Sequence, residues 1–131
     1  METEVFFDIT KEEDNYAEGD LIILHEGHYR KYSAMSGKYG KGSLPKGQYE
    51  IVSCFIKPND GTNDSFKKEG FPWIAGIKPM FPTDRFDLAI HPDGKNEGTN
   101  GCIGIEENDL DAYETLNYML SSGRSIIMKV V

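Results

Sequence analysis

The sequence predicts a mainly β fold with one helix in its C-terminal half, and three observations carry that expectation. Glycine and tyrosine are frequent, at 14 and 7 of 131 residues; glycine supplies turn positions with positive φ, and aromatic side chains suit a pleated surface. Apolar residues fall in short runs bounded by turn-forming residues, near 21–24, 48–55, 86–91, 102–105 and 125–131. Only residues 106–122 carry apolar side chains at helical spacing.

The elements follow in order. Residues 11–20 are acidic and read as a solvated linker or turn, which makes residues 1–20 an N-terminal extension and 21–131 the folded domain. Leu21, Ile22, Ile23 and Leu24 form a short apolar run typical of a buried strand. Glu26-Gly27 then separates it from a second strand-like run at 29–34, as a hairpin turn would. His25 and His28 flank that turn with no third ligand nearby, so they read as hairpin flanks rather than a metal pair. Residues 36–47 are a loop rich in glycine, lysine and proline. In 48–55, Tyr49, Ile51 and Ser53 alternate with Glu50, Val52 and Cys54, which predicts a strand and makes Cys54 a small buried hydrophobe of low thiolate character.

Residues 57–85 show no sustained periodicity and read as a long loop. Its stretch 59–64 resembles a calcium loop only faintly, because the glycine and closing glutamate are at the wrong offsets. Trp73 and the neighbouring phenylalanines either wall a substrate cleft or tack the loop down as a small hydrophobic cluster. Leu110, Tyr113, Leu116 and Leu120 give the helix its apolar stripe, Asn108 or Asp109 offers a cap, and Gly123 ends it. A final strand covers 125–131.

Composition narrows the function. At 131 residues the chain suits one domain with a real core. A net charge of -8 argues against non-specific nucleic-acid binding, since phosphates would be repelled. No apolar run approaches the roughly 20 residues a membrane span needs, and no basic stretch followed by an apolar one marks a Sec signal. The two cysteines lack zinc-site spacing, and neither a metal nor a cofactor is expected. A disulfide between Cys54 and Cys102 would consume the second thiol, which has a better use.

That use emerges at 85–105, RFDLAIHPDGKNEGTNGCIGI. Alternation puts Phe86, Leu88 and Ile90 on a core face and His91, Asp87 and Ala89 on the other. The same phase buries Ile103 and Ile105 and leaves Cys102 on the opposite face beside Gly104. The glycine-rich loop 92–101 can fold back and set the two strands side by side, so that Cys102 and His91 meet. A neighbouring imidazole raises the thiolate fraction of a cysteine. Backbone N–H groups at Gly101 and Cys102 are candidate oxyanion donors. Control of the histidine tautomer needs a third group, for which Asp93 and loop carbonyls are the local options.

These residues resemble the active-site motif of the L,D-transpeptidases, cysteine enzymes that act on bacterial peptidoglycan. Thr99, Gly101, Cys102 and Ile103 fit the family's Ser/Thr-His-Gly-Cys segment and the hydrophobic residue after it, and His91 fits the upstream histidine. Residues 36–38 and 44–51 resemble the family's small-residue turn and the proline-x-glycine turn that leads into a strand, so the likeness runs over 21–131. Asn100 stands where the family usually has a second histidine, Gly104 where it has Asn or Arg, and Leu44 where it has threonine. The loop between His91 and Cys102 is also short. In these departures, and in lacking a Sec signal, the chain looks closest to compact L,D-transpeptidase-like toxins that bacteria inject into rivals through type VI secretion.

The resemblance implies a β-sandwich or barrel, and a cysteine acyl transferase or hydrolase acting on peptidoglycan stem tetrapeptides by L,D-carboxypeptidase cleavage, transpeptidation or D-amino acid exchange. It implies Cys102 as nucleophile and His91 as base; Gly101, Asn100 and Thr99 by their position before the cysteine, and Trp73 by its place in the long loop, are the candidate oxyanion or substrate contacts. It also implies manufacture in the cytoplasm, action in a target cell's periplasm, and a secretion apparatus and an immunity protein as partners. Papain-like peptidases place cysteine before histidine, whereas no histidine follows Cys102. The alternative from another class is a catalytically inactive cell-wall or partner-binding module on the same fold.

Overall fold

Alternating side chains build most of the molecule. The computed structural model describes residues 3–94 and 97–131, and within them nine strands surround a shared core. In chain order these are β1 (Thr3–Glu12), β2 (Tyr16–His25), β3 (His28–Gly37), β4 (Gly47–Ile51), β5 (Phe55–Ile56), β6 (Trp73–Pro79), β7 (Leu88–Pro92), β8 (Ile103–Ile105) and β9 (Ile126–Val130). One helix, α1 (Asp109–Ser121), lies between β8 and β9, and a single 3-10 turn spans Asp64–Phe66. The sheet runs β4-β9-β1-β2-β3-β8-β7-β6-β5. Because β4 also pairs with β6, eight of these strands close into a barrel, with β5 extending β6 at its beginning. The mainly β class with one helix is therefore what the chain adopts.

Closure leaves one inward face, and the alternating residues fill it. Val5 and Phe7 of β1, Leu21 and Ile23 of β2, Tyr49 and Ile51 of β4, and Ile103 and Ile105 of β8 are all buried in one cluster. Each such side chain contributes about 1.5–3 kcal/mol on burial. The turn between β2 and β3 has Glu26 and Gly27 at φ 49° and 78°, the positive pair a two-residue type I′ hairpin requires. His25 and His28 face each other across it. Gly123, at φ 78°, ends α1 with its N–H on the Leu120 carbonyl.

Several expectations need correction. Residues 11–20 are not a linker: they carry the end of β1 and the start of β2, so a boundary at residue 20 falls inside a strand. Its pattern is hidden because the inward positions hold small residues, Ala17 and Gly19. A Cβ at Gly19 would lie 2.1 Å from the Asp8 carbonyl oxygen across the ladder. Residues 57–85 contain β6, whose Trp73, Ala75 and Ile77 point inward. Two pairings, β1 with β9 and β7 with β8, are parallel rather than hairpin-joined. The buried face of α1 is Asp109, Ala112, Leu116 and Met119, so the stripe is rotated by about one residue and Leu110, Tyr113 and Leu120 flank it. Phe86 is outside the core, 76% exposed. The cause is Asp87 at φ 54°, which breaks the alternation just before β7 begins.

Candidate active site

The parallel pairing of β7 with β8 sets the geometry of the site. Ile90 is opposite Ile103 and His91 opposite Gly104. Paired residues in a parallel ladder point to the same face, so Ile90 and Ile103 both enter the core. Cys102, immediately before β8, is then in phase with His91 on the other face, offset by two residues or roughly 7 Å along the strand. Both side chains line one cleft of about 840 Å³. Cys102 and His91 thus line one cleft at the two ends of a crossover between parallel strands, with the thiol's hydrogen bond going to the Asp87 carbonyl and not to the imidazole. Part of that crossover, 95–96 of the predicted loop 92–101, lies outside the described residues, as do residues 1–2 of the predicted extension.

His91 is almost fully buried, at 6% exposed. Its Nδ1 lies 2.7 Å from the Pro92 carbonyl oxygen. A carbonyl only accepts, so Nδ1 carries the proton and donates it, and Nε2 is left as the basic nitrogen. The third group that sequence left open is therefore the main chain of the next residue. Asp93, the other local option, is turned elsewhere: its carboxylate accepts the Gly98 N–H at 3.1 and 3.3 Å. The edge of Phe66 packs on the imidazole with centroids 4.9 Å apart at 82°. Burial pushes the imidazole pKa down to about 4, against a smaller upward pull from the Pro92 carbonyl. His91 is neutral at pH 7.

The Cys102 thiol is directed at the Asp87 carbonyl oxygen, 3.8 Å away. Burial raises its pKa; the Ala89 backbone hydrogen bond works against this, and the Asp87 carboxylate adds to it. Desolvation thus works against the enrichment of thiolate that a neighbouring imidazole would bring. The resting pair is a neutral thiol beside a neutral imidazole, because the cleft desolvates both charged forms. Cys54 is a free thiol too, and burial pushes it up to about 12. The strand predicted over 48–55 ends at Ile51, so Cys54 lies in the short stretch between β4 and β5, where it is half-buried and packs against the core.

The segment before Cys102 is held by Thr99. Its buried hydroxyl donates to the Cys102 carbonyl at 2.6 Å and accepts the N–H groups of Gly37 at 3.0 Å and Gly101 at 3.2 Å. The Thr99 main chain also bridges to the end of β3, its N–H on the Gly37 carbonyl and its carbonyl accepting from Tyr39. Thr99 is a clasp. Gly101, at φ 122°, has its N–H taken by that hydroxyl, which removes it as an oxyanion donor. A Cβ there would lie 2.9 Å from Arg85 Nη1. Asn100 is exposed and borders the cleft, its side chain close over Gly40.

Trp73 does not wall the cleft. It is fully buried, and its indole N–H donates to Asp109 Oδ2 at 3.0 Å. Strand alternation in β6 turns Trp73 inward and Ile74 toward the cleft. The aromatic wall consists instead of Phe55, Phe66 and Phe86, with Tyr39 beside the Asn100 segment. Phe66 comes from the predicted loop, so that stretch does reach the site, through a different residue. Ser36 was also missed: its buried hydroxyl donates to the Gly101 carbonyl at 3.2 Å and accepts the Leu44 N–H at 3.0 Å. No sequence spacing points to either contact, since both depend on strands distant in the chain.

Gly104 faces Asp93 and Thr99, where a Cβ would come within 3.0 Å of both side chains. The position holds no space for the larger polar residues found there in the enzymes that the motif resembles. Among the described residues no group of three or more His, Cys, Asp or Glu is placed to hold a metal ion, and no helix is long and apolar enough to cross a membrane. No family model, curated protein or solved structure matches the chain.

Proposed function

We propose that the protein is a cysteine acyl transferase or hydrolase of peptidoglycan stem tetrapeptides, with Cys102 as nucleophile and His91 as general base. The observation that supports this most is the shared cleft face of His91 and Cys102 on adjacent parallel strands, with His91 Nε2 left basic by the Pro92 carbonyl. The Cys102 S–H proton passes to Nε2 as sulfur attacks the carbonyl between diaminopimelate and the terminal D-alanine. The carbon–sulfur bond forms, and the Cys102 amide is the candidate donor to the oxyanion. The carbon–nitrogen bond then breaks, and His91 returns the proton to the departing amine of D-alanine. Water resolves the thioester in a carboxypeptidase; an amine resolves it in a transpeptidase or exchange reaction. Because the resting pair is neutral, proton transfer accompanies attack and no thiolate–imidazolium pair precedes it.

By the same resemblance, the protein acts as an antibacterial effector in a rival's periplasm, delivered by a secretion apparatus and countered in the producer by an immunity protein. Mass spectrometry of tetrapeptide muropeptides incubated with the protein, with and without excess D-methionine, tests the chemistry. Loss of D-alanine, a mass shift from exchange, or cross-linked dimers are the three productive outcomes. Unchanged muropeptides, or the same products from Cys102→Ala, would refute it. Toxicity on export to the periplasm and none in the cytoplasm tests the target compartment, and toxicity confined to the cytoplasm sinks it. One observation favours a second reading, an inactive binding module: the thiol's pKa is raised, not lowered. Tight muropeptide binding without turnover would support that module.

A further inference from the structure

The cleft is poor in positive charge. Among its described lining residues the single formal charge is the Asp87 carboxylate, and the rest is apolar, aromatic or neutral polar. A peptide that ends in a free carboxylate would meet repulsion there unless a cation stands at the mouth. The nearby lysines are mostly committed. Lys38 pairs with Glu97 at 2.9 Å, Lys41 with Asp84 at 2.9 Å, and Lys67 donates to the Asn59 side chain at 2.9 Å.

Lys57 differs. Its ammonium lies 5.1 Å from the centroid of Phe66 and 5.9 Å from that of Phe55, two rings of the cleft wall. No carboxylate pairs with it among the described residues. Aromatic faces hold an ammonium in place without neutralising it, so this charge stays available to an anion. Its position relative to the chemistry is also defined. Phe66 contacts both the His91 imidazole, with centroids 4.9 Å apart, and the Lys57 ammonium, so one ring links the two groups. His91 is the group that protonates a departing amine, so the leaving part of a substrate occupies the His91 side. From that amine to the carboxylate carbon of the same terminal residue is two bonds, a span of about 2.5 Å.

We infer that Lys57, held over Phe55 and Phe66, is a specificity-determining residue that receives the free terminal carboxylate of the leaving amino acid. The inference rests on the acyl-transfer function proposed above and adds to it that the site reads a chain end: it removes or exchanges a terminal residue and discriminates against an amidated or extended terminus. Lys57 touches no reacting bond, so its effect falls on binding of the leaving residue.

The test separates binding from turnover. Cys102→Ala protein is titrated by calorimetry with the tetrapeptide L-alanyl-γ-D-glutamyl-diaminopimelyl-D-alanine and with its C-terminal carboxamide. The carboxylate form is expected to bind about tenfold more tightly, the scale of one charge-assisted contact. Lys57→Met, which keeps an unbranched apolar stem over the rings, is expected to erase that preference, and Lys57→Arg to restore most of it. In protein with Cys102 intact, Lys57→Met should raise KM for the carboxylate peptide with kcat little changed. Equal binding of the two peptides, no binding of either, or a preference that survives Lys57→Met would overturn the inference. Turnover with such a surviving preference would sink the inference and leave the enzyme function standing. Lys57-dependent preference without turnover would do the reverse.

Discussion

Replacing Thr99 by valine nearly keeps the side-chain volume and exchanges a hydroxyl for a methyl, yet that hydroxyl has three backbone partners. It donates to the Cys102 carbonyl at 2.6 Å and accepts from Gly37 at 3.0 Å and Gly101 at 3.2 Å. Valine strands two backbone donors and one acceptor, each worth about 1 kcal/mol, so the loss should be about 3 kcal/mol. That is a large share of a domain stability of about 5–15 kcal/mol. A chain of this size melts about 4 °C lower per kcal/mol, which places the drop at about 12 °C. Urea and thermal unfolding followed by far-UV circular dichroism measure it. Thr99→Ser restores the hydroxyl and removes only the methyl that packs beside Gly104, so it should lose about 1 kcal/mol. A valine variant within 1 kcal/mol of the parent, or a serine variant as damaged as valine, would refute the clasp.

Four further outcomes are expected. Iodoacetamide should label Cys102 slowly at pH 7, since even an ordinary thiol with a pKa of 9.0 is about 1% thiolate there, and burial moves this one higher; labelling that saturates below pH 8 contradicts the buried neutral thiol. If His91 is the base proposed above, burial that lowers its pKa to about 4 places the acid limb of kcat/KM near pH 4, and a limb near 6.5 would mean that the imidazole is solvated. Asp109, buried beside Trp73, has its pKa raised mainly by desolvation. A raised carboxylate pKa withdraws stability as pH climbs from the unfolded value of 3.8 through the folded one, so Asp109→Asn should flatten the loss of stability as pH rises above 3.8, relative to the parent in urea melts. Gly104→Ala must displace Asp93 or Thr99, and an overpacked site of this kind costs about 1–3 kcal/mol; an unchanged urea midpoint would show that the pocket can yield.

Much of the fold could be read where a strand has one large apolar face. The hairpin at Glu26-Gly27, the Tyr49 and Ile51 phase, the helix end at Gly123 and the inward pair Ile103 and Ile105 all follow from local pattern. The start of β2 escaped notice because Ala17 and Gly19, which face the barrel interior, are too small to register as a hydrophobic period. β6 escaped because Gly76 and two prolines interrupt the composition around Trp73, Ala75 and Ile77. In the site, the shared face of His91 and Cys102 was legible from alternation alone. The Pro92 carbonyl, the Thr99 clasp and the Phe66 contact were not, since they depend on a parallel register and on a wall contributed by remote segments. Trp73 misled for a simple reason: a large aromatic in an irregular stretch looks exposed until strand phase is known.

The ladder between β7 and β8 also bears on how this molecule can change over time. The spacing of His91 and Cys102 is carried by main-chain hydrogen bonds between β7 and β8, and the chain reaches the β8 edge by way of the Thr99 anchor. A change in the length of that connection can therefore leave both side chains in place, provided that Thr99 keeps its anchor on Gly37. A short crossover and a long one can serve the same chemistry. The relation between His91 and Cys102 is then a property of the backbone ladder, independent of how much chain lies between the two residues.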